Sequence, residues 1–175
     1  MRNLAFKVLH GVEVAVHNVR NPSREEWEAH TAMTVAIMRA AGGDLANFRQ
    51  LIFTDGGGPN GAQRKASANR FRACVNGDKI KVAVVSRSTA VRGIVTAFRW
   101  LGLPMRSFEP EQLAEAFAFL AVSNAEAVDL CAAVEELCAT VDGPTRSAAR
   151  VPAYRIELSA GSPEAPRHDS IAPTA

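Results

Sequence analysis

The chain has 175 residues, 47% of them apolar and 22% charged, with 20 Lys or Arg against 18 Asp or Glu and a formal charge of +2. That length and balance suit one globular domain with its own core and exclude a chain too polar to collapse. A charge so close to zero gives no general attraction to nucleic acid, and aromatic residues for base stacking are scarce at 6%.

In chain order, Leu4–Leu9 and Val12–Val19 read as two strands joined by a tight hairpin at His10-Gly11. Ser23 and Glu26 form a capping box opening a helix with Trp27, His30, Thr34, Ile37 and Met38 on one face, ended by Gly42-Gly43. Phe48–Phe53 is a strand, followed by a loop with three consecutive glycines, Gly56 to Gly58, and a helix over 61–71. Ile80–Val85, rich in β-branched residues, predicts a central buried strand. Ser88 or Thr89 caps a helix whose apolar stripe is Val91, Ile94, Val95, Phe98 and Leu101. Met105–Phe108 is a short strand, and Pro110 opens a helix over Glu111–Leu120. Ser123 and Glu126 cap a last helix reaching about Thr140. Val151–Leu158 reads as a weak strand or packing arm, and the Ser-, Pro- and Ala-rich stretch from Ala160 as a loose tail.

The order ββαβαβαβα, with a further C-terminal helix, predicts an α/β fold with a mixed, mostly parallel sheet. Three cysteines, Cys74, Cys131 and Cys138, form no CxxC pair, which argues against a disulfide framework and a structural zinc. Cys131 and Cys138, seven apart on one helix, would lie roughly 10 Å from each other, beyond disulfide reach. The four histidines show no metal-ligand spacing. Neither a metal nor a cofactor is expected. No apolar run is long enough for a membrane span and the N-terminus has no signal-peptide pattern, so a cytoplasmic location is the expectation.

Ser23-Arg-Glu-Glu-Trp27, Leu51-Ile-Phe-Thr-Asp55, Val82-Ala-Val-Val85 and Met105-Arg-Ser-Phe-Glu-Pro110, in this order, resemble the STAS domain superfamily. That superfamily includes the bacterial anti-sigma-factor antagonists and their CRAL-TRIO-like relatives. The resemblance covers about residues 4–122 and implies a non-enzymatic regulatory module that docks on a protein partner. It sets a STAS-like unit at 1–122, a helical extension at 123–142, and an arm and tail at 143–175. In the antagonists a phosphorylated serine sits between the third strand and the next helix. Here that stretch is Asp55-Gly56-Gly57-Gly58-Pro59, with Thr54 the nearest hydroxyl, so the phospho-switch is not carried over.

Two features point to a binding surface. A glycine loop before a helix start exposes backbone N–H groups, so Thr54, Asp55, Gly56, Gly57, Gly58, Asn60 and Arg64 form a candidate anion or partner site. It is neither a P-loop nor a dinucleotide fingerprint. Asp55 has no neighbour in sequence to make a catalytic pair, and no catalytic residue is assigned. Charge is segregated as well. Residues 59–106 hold ten Lys or Arg against Asp78 alone, and residues 107–142 hold eight acids with no Lys or Arg. Such a dipolar chain suits oriented docking or self-association, with Arg87, Arg92, Arg99, Glu126 and Glu135 on the interaction surface. The expectation is a STAS-like protein-interaction module. The alternative is a domain binding a small anionic ligand or lipid in a pocket at the glycine loop.

Overall fold

A computed structural model describes residues 1–100, 105–143 and 145–160, with the backbone alone at 97–100. Leu4–Leu9 (β1) and Val12–His17 (β2) pair antiparallel, Leu9 opposite Val12. His10 and Gly11 between them both take left-handed backbone, at φ 51° and 68°. That is the two-residue turn whose twist matches the flanking strands. β2 then pairs parallel with Arg49–Thr54 (β3), β3 with Lys81–Val85 (β4), and β4 with Met105–Phe108 (β5). The sheet order is β1-β2-β3-β4-β5.

Each parallel strand joins on the same side of its predecessor. Right-handed crossovers then carry every connecting helix over one face: Arg24–Ala40 (α1), Gly61–Arg72 (α2) and Thr89–Trp100 (α3). The opposite face is covered by Leu113–Phe119 (α4), Asn124–Thr140 (α5) and Val151–Ser159 (α6). Short 3-10 turns at Pro110–Gln112 and Arg146–Ala148 lead into α4 and α6. The winding leaves no strand-order reversal among the parallel strands, so a ligand crevice of the doubly wound kind has no place here.

The two faces are filled differently. Val12, Val14 and Val16 of β2, with Leu51, Phe53, Ala83 and Val85, pack against Phe117, Leu130, Val134 and Leu137. Each such large side chain contributes about 1.5–3 kcal/mol by leaving water. The α1–α3 face carries a smaller cluster around Met38, Phe48, Val82, Val84 and Val95.

Three sequence expectations change. Val151–Leu158 is helix α6, not a strand or arm: Pro152 sits in its first turn, and Tyr154 stacks on Phe117 at 5.8 Å. The helix expected from Glu111 begins as a 3-10 turn and becomes α-helical only at Leu113. The helix set outside the first 122 residues, α5, packs into the same core as β1–β3. The expected tail lies, beyond residue 160, outside the described residues. Among the described residues, no helix is long and apolar enough to cross a membrane.

Candidate ligand-binding cavity

A cavity of about 230 Å³ lies between the sheet and helices α1–α3. Its walls are mostly apolar: Trp27 and Met38 of α1, Phe71 of α2, Val95 of α3, and Val84 and Met105 of the sheet. Polar side chains also line it, among them His17, His30, Thr34, Gln50 and Arg64, together with Gly56, Gly57 and Gly58 of the glycine loop.

Behind part of this lining stands Glu13, a carboxylate of β2 with only 1% of its surface exposed, opposite Gln50 at the end of β3 away from the glycine loop. All six residues of β2 are buried, because helices cover both faces of this inner strand. Val12, Val14 and Val16 turn into the dense core, which leaves Glu13, Ala15 and His17 for the α1 side. Glu13 Oε1 lies 2.5 Å from His30 Nε2 and accepts from Gln50 Nε2 at 2.7 Å, while Oε2 accepts from the Thr34 hydroxyl at 3.1 Å. Three polar partners occupy its two oxygens, as a buried carboxyl group requires. Ring contacts fix His30 in place: Phe6 meets it edge-on at 5.2 Å and Trp27 lies at 5.1 Å.

His17 is buried and neutral. Desolvation, helped by the charge of His30, pulls its pKa from 6.5 to about 3. Nδ1 of His17 and Nδ1 of His30 are both buried with no hydrogen-bond partner. Orphaned ring nitrogens are rare inside proteins.

The glycine loop lines the cavity beyond the C-terminal end of β3 but is not the row of open amides expected from sequence. Gly56 N–H donates to Thr54 Oγ1 at 3.1 Å, and Gly57 N–H to Asn18 O at 2.9 Å. Thr54 in turn donates to Gly57 O at 2.6 Å. A side chain at Gly57 would meet Arg20 O at 2.1 Å, so close approach of two backbones explains that glycine. Asn60 caps α2 through Gln63, and Arg64 Nη1 donates to Pro59 O at 2.6 Å while lining the cavity. Asp55 turns elsewhere: its carboxylate accepts from the amides of Arg146 and Ser147 at 2.5 and 2.7 Å, tying the Arg146–Ala148 turn to the end of β3.

The charged residues assigned to an interaction surface are largely engaged within the chain. Arg87 pairs with Glu111 at 2.8 Å and Arg92 pairs with Glu109, bringing the basic and acidic blocks together. Glu135 takes Arg155 through both oxygens, at 2.8 and 3.1 Å, and Glu126 belongs to the α5 capping box. Arg99 lies outside the residues whose side chains are described.

No cysteine forms a disulfide, and burial pushes the Cys131 thiol up to about 12, which leaves it a poor nucleophile. Among the described residues, no group of three His, Cys, Asp or Glu side chains is placed to hold a metal ion. The chain matches no protein-family model, no curated protein and no solved structure.

Sequence reasoning reached the glycine loop and His30 but missed Glu13, Gln50 and the orphaned His17. In sequence, Val12, Val14 and Val16 alternate with Glu13, Ala15 and His17, a pattern that reads as one solvated face, whereas helices cover both faces of this strand. A carboxylate in such a strand needs buried partners.

Proposed function

We propose that this chain is a ligand-binding module that holds a small, mostly apolar molecule between its sheet and helices α1–α3. The cavity carries the reading: it has aromatic and aliphatic walls with a few polar groups among them. An apolar cavity of about 150 Å³ accommodates benzene, so about 230 Å³ suits a compact molecule of one or two rings.

A ligand here would be felt at the surface, since Thr54, Gly56, Gly57 and Gly58 line the cavity and form the loop. That supports a ligand-responsive, STAS-like regulatory role with the loop face as the docking face. No catalytic residue is assigned. The charge segregation that suggested self-association adds less, because Arg87–Glu111 and Arg92–Glu109 already join the two blocks within one chain.

Thermal unfolding with naphthalene, indole or inorganic phosphate tests the reading. A cavity ligand at ten times its Kd adds about 1.4 kcal/mol, or roughly 3–6 °C in Tm for a chain of this size. The reading expects that shift from a ring compound. Stabilisation by phosphate alone would support an anion site at the loop instead.

A further inference from the structure

We propose that the cavity takes an aromatic carboxylate, with its ring among the apolar walls and its carboxylate on the Arg64 guanidinium. This rests on the cavity reading above and names the charge of the ligand that the lining favours.

The ionisable side chains that line the cavity are His17, His30, Arg64 and Arg70, and among the described residues no Asp or Glu joins them. Both arginines are half-buried, and among the described residues neither makes an ion pair, unlike Arg87 and Arg92 of the same basic block. α2 carries no acid of its own. Asp55, at the foot of the glycine loop, is taken up by the amides of Arg146 and Ser147. A cation partly withdrawn from water without a counter-charge favours an anion beside it.

Position separates the two arginines. Arg64 stands at the glycine loop, where Nη1 donates to Pro59 O at 2.6 Å and holds the guanidinium in place. Among the described residues its Nε and Nη2 donate to nothing, and that pair of N–H groups matches the two oxygens of a carboxylate. The buried carboxyl group of Glu13 lies at the other end. Its partner Gln50 precedes Thr54 by four residues of strand, about 13 Å at ~3.3 Å per residue. Repulsion of a ligand anion by Glu13 is therefore weakest at Arg64. Arg70 lies about 9 Å further along α2. Its neighbour Phe71 meets Phe48, just ahead of β3, at 6.0 Å, which sets Arg70 nearer the Glu13 end.

The same face of α2 sets the shape of the ligand. Arg64, Ser67, Ala68 and Phe71 follow one another at the spacing of one helix face, and all four line the cavity. The small side chains at 67 and 68 leave room for a flat ring system between Arg64 and Phe71, which stand about 10 Å apart along the axis. Trp27, Met38 and Met105 supply aromatic and thioether surface that packs well against rings.

Titrating the full chain with naphthoate, naphthol and naphthalene at neutral pH holds the ring constant while changing the polar group. Naphthoate should bind about tenfold tighter than either of the others, the scale of one hydrogen bond to a charged group. In Arg64→Met that preference should vanish while naphthalene binding persists. Arg64→Lys should restore part of it, and Arg70→Met should keep most of it. The wild-type chain supplies a second readout: the Arg64 Nε–H resonance should move with naphthoate and stay in place with naphthalene. Naphthol or naphthalene binding as tightly as naphthoate overturns the carboxylate assignment but leaves the cavity reading intact. So does a preference that survives Arg64→Met, or an Nε–H resonance that naphthoate leaves unmoved. Failure of all three compounds to bind overturns both.

Discussion

Asp55 holds Ser147, 92 residues away in the chain, by accepting from its amide at 2.7 Å and contacting its hydroxyl at 2.5 Å. The other carboxylate oxygen takes the Arg146 amide at 2.5 Å. The same Ser147 hydroxyl lies 2.9 Å from Thr54 O, and Ser147 is fully buried. The end of β3 is thereby clamped to the turn that leads into α6, beside the glycine loop. Asp55, which has no neighbour in sequence to make a catalytic pair, works here as a cap.

Asp55→Ala should leave two amides without their acceptor and lower stability by about 2–4 kcal/mol, since hydrogen bonds to charged groups are worth about 1.5–3 each. Urea unfolding measures the loss, and amide exchange at Arg146 and Ser147 should quicken. A variant within about 0.5 kcal/mol of the parent would show that the clamp contributes nothing.

Two neighbouring glycines should behave differently. At Gly57 an added Cβ meets backbone oxygens of Arg20 and Asn18 at 2.1 and 2.4 Å; at Gly58 nothing lies within 4 Å. Gly57→Ala should cost about 1–3 kcal/mol, because backbone on both sides cannot yield cheaply. Gly58→Ala should stay within about 0.5 kcal/mol. Equal unfolding midpoints for the two variants would contradict the close approach of residues 18–20 to the loop.

His17 makes stability pH-dependent with a definite sign. Its pKa is about 3 when folded, from burial first and the charge of His30 second, against 6.5 ordinarily. Between these values the unfolded chain binds a proton that the folded chain refuses, so stability falls as pH drops from 6.5 towards 3. Above 6.5 the group contributes nothing. The slope is at most one proton, so moving from pH 7 to pH 5 should remove about 2 kcal/mol. Denaturant melts at the two values measure it, and His17→Leu should flatten that part of the profile. An undiminished loss in the variant would assign the acid sensitivity to other groups.

How much of this was legible in the sequence depends on how far apart the partners stand. The Ser23/Glu26 and Ser123/Glu126 capping boxes, the His10-Gly11 turn and the β-branched run of β4 are local, and the structure contains each of them. Glu13 could not be read that way, because its partners stand 17, 21 and 37 residues away. The charge blocks were plain, but the pairing of Arg87 with Glu111 across 24 residues depends on how β4, β5 and the following turn meet. α6 was misread because its register against α4 and α5, through Phe117–Tyr154 and Glu135–Arg155, settles its conformation.

Methionine methyl resonances report on the cavity most directly. Met38 on α1 and Met105 on β5 line it, while Met1 and Met33 do not. Titrating the methyl-labelled full chain with naphthol should shift Met38 and Met105 together and saturably. Met1 and Met33 should stay in place as internal controls. Ala68→Leu, which fills the cavity from α2, should weaken the response. Shifts confined to Met1 or Met33, or Met38 and Met105 unmoved by every ring compound tried, would contradict a ligand cavity between the sheet and helices α1–α3.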